Sequence, residues 1–218
     1  LQEVSEGGNV IYEPLEAERS ERERLVLHVA DEEREEIAGL PEQFDLREVY
    51  DSLRVPDQGA FNTCWAFASL KALETTVKDG TELSADHMTL RNHFGLGQDA
   101  GGDYSMASAY LLAWQGPAAE ADDPYGDGYS PEGAEPVYHV QELQILGAKD
   151  QEAIKQAVYE YGGVQSACYM PQTAGAERER YYQEETCAFY YNGTQEPNHD
   201  VGIVGWDDHY PKENFVQQ

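Results

Sequence analysis

The sequence predicts an α+β fold in two subdomains, a helical first half followed by an antiparallel, β-rich second half. Three observations carry that expectation. Apolar residues recur at helical spacing between Thr63 and Trp114, Gly and Pro crowd the stretch from Gly116 to Pro136, and strand-forming runs dominate from Val164 to Trp206. With 218 residues, 40% hydrophobic and 11% aromatic, the chain can bury a real core.

Residues 1–40 are charged and short of large apolar side chains. A stretch from Ser20 to Ile37 reads as a helix, with Ser20 as its cap and Glu23 completing a capping box. The segment is expected to be an N-terminal extension or pro-segment, a disordered acidic arm being the other reading. Residues 41–125 then form the helical subdomain. From Thr63, the positions Ala66, Leu70, Leu73 and Val77 share one helical face until Asp79-Gly80 ends the run, which puts Cys64 in the first turn. Two further helical patterns cover Ser84 to Leu90 and Ser105 to Trp114. The Gly- and Pro-rich crossover follows, and residues 126–218 form the β-rich subdomain. It begins with one more helix, Asp150 to Tyr161, with Ile154 and Val158 inward, and continues with strands at Val164–Met170, Cys187–Tyr191 and Val201–Trp206. Asn192-Gly193-Thr194 fits a glycosylation sequon, but Asn-Gly between strand-like runs is first a hairpin turn.

Asp and Glu number 42 against 14 Lys and Arg, a net charge of -28. Such a surface repels phosphate backbones and anionic lipid, so no nucleic-acid partner is expected. No apolar stretch approaches the roughly 18 residues a membrane helix needs, so no membrane insertion is expected. Asp122-Asp123 lacks the spaced oxygen ligands of a calcium loop, and neither metal nor cofactor is expected. The sequence opens on Leu1 without a targeting signal and stops shortly after a strand-like run, so a fragment at both ends is expected. Cys168 and Cys187 read equally as a disulfide or as two thiols.

Chemistry concentrates at Cys64 and His199. A cysteine nucleophile acts as its thiolate, which the partial positive charge of a helix N-terminus favours. It also needs a base. Of the six histidines, His199 is placed distinctively, at the head of the apolar run Val201-Gly202-Ile203-Val204, where a rigid strand would hold its ring over a cleft.

The segment Asp57-Gln58-Gly59-Ala60-Phe61-Asn62-Thr63-Cys64-Trp65-Ala66-Phe67-Ala68 resembles the active-site segment of papain-like cysteine peptidases. His199 lies about 135 positions further on, which fits the same family. Leu40-Pro41 with Phe44-Asp45-Leu46-Arg47 resembles the start of the mature enzyme. Asn198-His199-Asp200-Val201 through Gly205-Trp206-Asp207-Asp208 resembles its His strand, most closely in the bacterial branch of clostridial cell-surface peptidases.

This resemblance implies a papain-like fold with the active-site cleft between the subdomains. It implies Cys64 as nucleophile, His199 as base and Gln58 as an oxyanion donor beside the Cys64 N–H. It also implies that Gly101 and Gly102 pair with an extended substrate, that Asp103, Tyr104 and Asp200 line a substrate pocket, and that Trp65 stands beside the nucleophile and packs inward. Phe61 and Asn62 depart from the family, standing where a cysteine and a glycine are usual, so the disulfide beside the active site is absent. Asp200 replaces a small residue, and no Asn-Ser-Trp-Gly-like segment, the usual source of the Asn that orients the imidazole, appears before Gln218.

The implied function is a secreted or cell-surface cysteine-type endopeptidase acting on peptide or protein substrates, with its own N-terminal segment as inhibitor. Two aspartates in one pocket imply a preference for Lys or Arg two residues before the scissile bond. The alternatives are a catalytically latent surface interaction module of the same fold and a Cys-His cell-wall amidase.

Overall fold

A computed structural model describes residues 2–6, 9–13, 26–29, 39–51, 53–172 and 175–216. The first half carries strands β1 (Gln2–Glu6), β2 (Asn9–Glu13), β3 (Val26–Val29) and β4 (Gln43–Asp45). Its helices are α1 (Leu46–Val49), α2 (Cys64–Val77), α3 (Ala85–Arg91) and α4 (Tyr104–Leu112). The second half carries β5 (Glu142–Ile145), α5 (Gln151–Glu160), β6 (Val164–Cys168), α6 (Ala176–Glu179), β7 (Tyr182–Gln183), β8 (Ala188–Phe189), β9 (His199–Ile203) and β10 (Gly205–Asp207). Four strands precede the first helix, which the periodicity does not predict; from α2 to α4 the chain is helical, and the later strands then alternate with α5 and α6.

Local chemistry sets the helix boundaries. Ser84 caps α3 by accepting the His87 N–H, Asp103 caps α4 by accepting those of Ser105 and Met106, and Asp150 caps α5 by accepting that of Ala153. Helix α2 ends at Lys78, which adopts the left-handed conformation just before Asp79-Gly80. The core lies where α2, α3 and α4 meet. Trp65, Ala66 and Leu70 pack there against Ala85, Met88 and Tyr110. Of the α2 face read from the sequence, Ala66 and Leu70 are buried, Leu73 is partly buried against the cluster, and Val77 reaches the surface.

Among the described residues the strands form five two-stranded ladders. The antiparallel pair β6–β9 lies on α2, and β4 pairs antiparallel with β10, tying residues near the start of the described body to its end.

Three expectations are corrected or resolved. Val26–Val29 is a strand, not part of a helix over Ser20 to Ile37; it adds in parallel to β5, from Val26 opposite Glu142 to Val29 opposite Ile145, and a sheet edge satisfies its backbone instead of helical turns. The other residues of that stretch lie outside the described residues. Asn192-Gly193 does not join two paired strands, because β8 pairs with β7 and β9 with β6. Instead Tyr191 folds over Gly193: its hydroxyl accepts the Gln195 N–H at 2.8 Å, and a Cβ on Gly193 would lie 2.3 Å from that oxygen. Finally, Cys168 and Cys187 are free thiols.

Candidate active site

The loop before α2 is held by one tyrosine that the sequence does not flag. The Thr63 hydroxyl donates to the Tyr125 oxygen at 2.7 Å, and the Tyr125 hydroxyl donates to the Gln58 carbonyl at 2.8 Å. Thr63 is fully buried, and as N-cap it spends its hydroxyl on Tyr125 instead of on the helix. The Tyr125 ring also meets Phe61 edge-on at 6.4 Å and Phe67 at 4.7 Å between centroids. Phe61 therefore packs against Tyr125 at the position where the resemblance implies a disulfide cysteine. Asn62 makes the second tie, donating from Nδ2 to the Asp99 carbonyl at 2.7 Å and linking the loop to the turn before Gly101.

Cys64 is half-buried at the first position of α2, where no acidic residue offsets the positive end of the helix and the backbone N–H has no partner within the helix. Gln58 is half-buried six residues earlier. Its amide donates to the Phe61 carbonyl at 2.8 Å, and an amide nitrogen carries a second hydrogen for another acceptor.

His199 opens β9, opposite Cys168 of β6. The ladder is fastened to α2 in register with the helix. The Gly163 N–H donates to the Thr75 hydroxyl at 2.7 Å, the Ser69 hydroxyl donates to Gln165 Oε1 at 2.8 Å, and Gln165 Nε2 lies 3.5 Å from the Trp65 carbonyl. Gly163, just before β6, meets the far part of α2 at Thr75, whereas Gln165, two residues on, meets Ser69 and Trp65 nearer its start. The His199 end of the ladder thus arrives at the Cys64 end of the helix. Gln165 Nε2 also donates to Asp200 at 3.1 Å, so one amide spans α2 near Cys64 and the strand that carries His199.

On the opposite wall Gly102 lies over the Trp65 indole, where an added Cβ would stand 2.5 Å from a ring carbon, and Gly101 has φ +75°. Side chains are excluded at Gly102 by contact and disfavoured at Gly101 by conformation. Trp65 itself is 2% exposed and reaches the cleft only through the glycine above it. Asp103 is exposed and bonded to Ser105, and Tyr104 is 56% exposed at the start of α4.

The two aspartates differ in chemistry. The Ser105 hydroxyl holds the Asp103 carboxyl below the usual range, although partial burial opposes it. Burial pushes the Asp200 carboxyl up, Gln165 and His199 pull it down, and the Asp103 charge adds to the rise. The Asp103 charge therefore reaches Asp200, where it is the smallest of these influences. Among the described residues no cluster of His, Cys, Asp and Glu could hold a metal ion.

Tyr125, Gln165 and Ser69 are the residues the sequence reading missed. Tyr125 reaches partners 62 and 67 positions away, and Gln165 reaches Asp200, Ser69 and Trp65 at 35, 96 and 100, so nothing local marks these ties.

The profile of papain family cysteine proteases matches residues 40–217. Among solved structures, the cysteine protease and lectin-like domains of Cwp84, a surface layer associated protein of Clostridium difficile, align with a TM-score of 0.70 and 29% identity, over 81% of this chain and 41% of that one. The cysteine protease Amb a 11.0101 of Ambrosia artemisiifolia is 28% identical over 179 residues, 78% of this chain and 44% of its own length. A crystal structure of Amb a 11 in its proform aligns with a TM-score of 0.58 at 26% identity, over 82% and 53% of the two chains. The Carica candamarcensis protease CMS1MS2, solved with E-64, shares the fold with a TM-score of 0.62 at 20% identity, over 78% and 79%. This chain spans less than half the length of Cwp84 and Amb a 11.0101 as matched. With the family profile covering all but the N-terminal segment, the chain belongs to the papain family of cysteine proteases.

Proposed function

We propose that the protein is a cysteine-type endopeptidase that cleaves peptide bonds through a thiolate acyl-enzyme. The observation carrying this is the meeting of the first turn of α2, which begins with Cys64, and the ladder end that bears His199. Cys64 sulfur attacks the peptide carbonyl carbon, and the new oxyanion takes hydrogen bonds from the Cys64 N–H and the Gln58 amide. A donor so placed contributes about 3 kcal/mol in comparable acyl-transfer enzymes. His199 gives its proton to the leaving amine, and water activated by the same ring then releases the acyl group.

Gly101 and Gly102 offer bare backbone to an extended substrate, with Trp65 as the floor beneath Gly102. Asp103 and Asp200, with Tyr104 beside them, form a pocket that takes a Lys or Arg side chain two residues before the scissile bond; the small rise that the Asp103 charge adds at Asp200 supports this. Residues 1–40 act as an inhibitory pro-segment, supported by the parallel addition of β3 to β5 and by the proform of the related Amb a 11. A secreted or cell-surface location follows the surface layer association of Cwp84.

Labelling with E-64 tests the activity. Stoichiometric modification at Cys64, and none at Cys168 or Cys187, is the expected result. An unmodified Cys64 in folded protein, or no hydrolysis of a peptide library by the labelling-competent protein, would overturn the proposal.

A further inference from the structure

Cys168 plays no part in the reaction just described, yet it occupies the site's most sensitive register position. As the partner of His199 in the β6–β9 ladder, it projects from the same face, with Cβ atoms roughly 4.5 to 5.5 Å apart for directly opposed residues. The ties from Thr75, Ser69 and Trp65 bring this end of β6 to the start of α2. Cys168 is half-buried and unbonded to any other sulfur. Two thiols and one imidazole therefore share the cleft. Cys187, the third cysteine, is exposed, and its Sγ lies 3.7 Å from the Glu184 carbonyl.

We propose that Cys168 is a resolving cysteine, which captures peroxide-oxidised Cys64 as an intramolecular Cys64–Cys168 disulfide and so makes oxidative inactivation reversible. The inference rests on Cys64 being the reactive thiol and His199 its neighbour. The Cys64 thiolate attacks one oxygen of hydrogen peroxide and the O–O bond breaks. Cys64 becomes a sulfenic acid, oxidised by two electrons, and hydroxide leaves and is protonated to water. Cys168 sulfur then attacks Cys64 sulfur. The S–S bond forms, the S–OH bond breaks, and the departing hydroxide takes the Cys168 proton, passed through His199, to leave as a second water. Dithiothreitol reverses the linkage by thiol–disulfide exchange.

Electrostatics set the order of the two steps. Burial raises the Cys168 thiol above its ordinary range, and the Asp200 and Cys64 charges add to the rise. Cys168 therefore stays a thiol while Cys64, at the positive end of α2, meets the oxidant first. Without a partner thiol the sulfenic acid would proceed to sulfinic acid, which thiol reductants do not reverse.

The test uses the full chain, its Cys168→Ser and Cys168→Ala variants, and Cys187→Ser as control. Each is exposed to hydrogen peroxide, blocked with iodoacetamide, digested without reductant and read by mass spectrometry. Parallel samples are treated with dithiothreitol before blocking. The expected result is a peptide pair linked through Cys64 and Cys168 in the parent and in Cys187→Ser, with the Cys64 thiol recovered by dithiothreitol. In both Cys168 variants Cys64 should end as sulfinic or sulfonic acid, and that recovery should be lost. Cys64 over-oxidised to the same extent in the parent, or linked to Cys187, overturns the inference while leaving Cys64 as the nucleophile. A Cys64 that reacts with neither peroxide nor iodoacetamide overturns both. The linked pair is read in the parent itself, so a variant that fails to fold does not obscure the outcome.

Discussion

Cys64 and His199 stand on unequal foundations. The residues following Cys64 enter the core at once, Trp65 at 2%, Ala66 at 0% and Leu70 at 1% exposure, whereas no residue of the His199 strand is fully buried. Cys64, the proposed nucleophile, is fixed by packing, and His199, the proposed base, is fixed by a few polar ties from the helix that carries Cys64. The difference separates stability from catalysis: core truncations near Cys64 should unfold the protein, while loss of a tie should leave it folded with its base misplaced.

The largest effect should come from Cys64→Ala. Removing a nucleophile from a concerted catalytic unit costs on the order of 10⁴-fold or more in turnover. A half-buried thiol at a helix start contributes little to the core, so the urea midpoint should stay near that of the parent. Retained hydrolysis would remove Cys64 from the mechanism. Trp65→Ala, one residue on, should behave in the opposite way and lose about 3 to 5 kcal/mol by creating a core cavity. Near-parental stability in a urea titration would mean that the core does not depend on the indole beneath Gly102.

Gln165→Leu should sharpen the comparison next. The substitution removes the donor to Asp200 and one acceptor of the Ser69 hydroxyl, which keeps the Trp65 carbonyl, so the loss should be about the 0.5 to 1.5 kcal/mol of a single hydrogen bond. Its signature should be a fall in kcat larger than any rise in KM, with the fold retained by circular dichroism. Gln165→Glu, which keeps an acceptor for Ser69 but places a second carboxylate beside Asp200, should not restore activity at neutral pH. Equal kinetics in parent and Gln165→Leu would show that the ladder is held elsewhere.

A smaller effect is expected in specificity. A Lys or Arg side chain entering a pocket with two carboxylates should be favoured by roughly 1 to 3 kcal/mol, or roughly 5- to 150-fold, over an apolar one. Asp200→Asn should flatten that preference more than Asp103→Asn, because Asp103 is exposed and already bonded to Ser105. A positional-scanning peptide library reads both. A hydrophobic optimum, or an Arg preference unchanged in either variant, would show that the aspartates serve the surface.

The inequality between the halves also decides what could be read from the sequence. The turn that bears Cys64 was legible because its signals are local: the helix period from Thr63, the Asp79-Gly80 stop and the resemblance of the segment from Asp57 to Ala68 to the papain family's active-site segment. Ser84 as a helix start was legible for the same reason. Tyr125 was not, because it reaches Thr63 and Gln58 from an irregular crossover whose composition announces only a loop. Gln165 sits in a strand pattern that gives no hint of Ser69 or Asp200. Val26–Val29 misled for the converse reason: its surroundings favour a helix, and its strand partner lies more than a hundred residues away.

The last and smallest effect concerns the pH dependence of stability at Asp200. Burial raises its carboxyl in the folded protein above the unfolded value of about 3.9. The folded state thus binds this proton more tightly than the unfolded state does, and relative stability from Asp200 is present at low pH and lost as pH rises through the raised folded value. Asn at this position carries no charge to desolvate and can still accept the Gln165 N–H. Asp200→Asn should therefore be more stable than the parent at neutral pH, and the gain should shrink as pH falls through the raised folded value and fade below about 3.9, where the parent's carboxyl becomes protonated in both states. Glu74 and Glu120 are also raised by burial, but they titrate in both proteins and cancel in the difference. Urea titrations of the two proteins between neutral pH and about pH 3.5 measure that difference directly. A gain that stays constant across the range would mean that the substitution acts by repacking and that Asp200 is charged in the cleft at little cost. A loss of stability at neutral pH would mean that the bond to Gln165 and the attraction of His199 outweigh the burial of the charge.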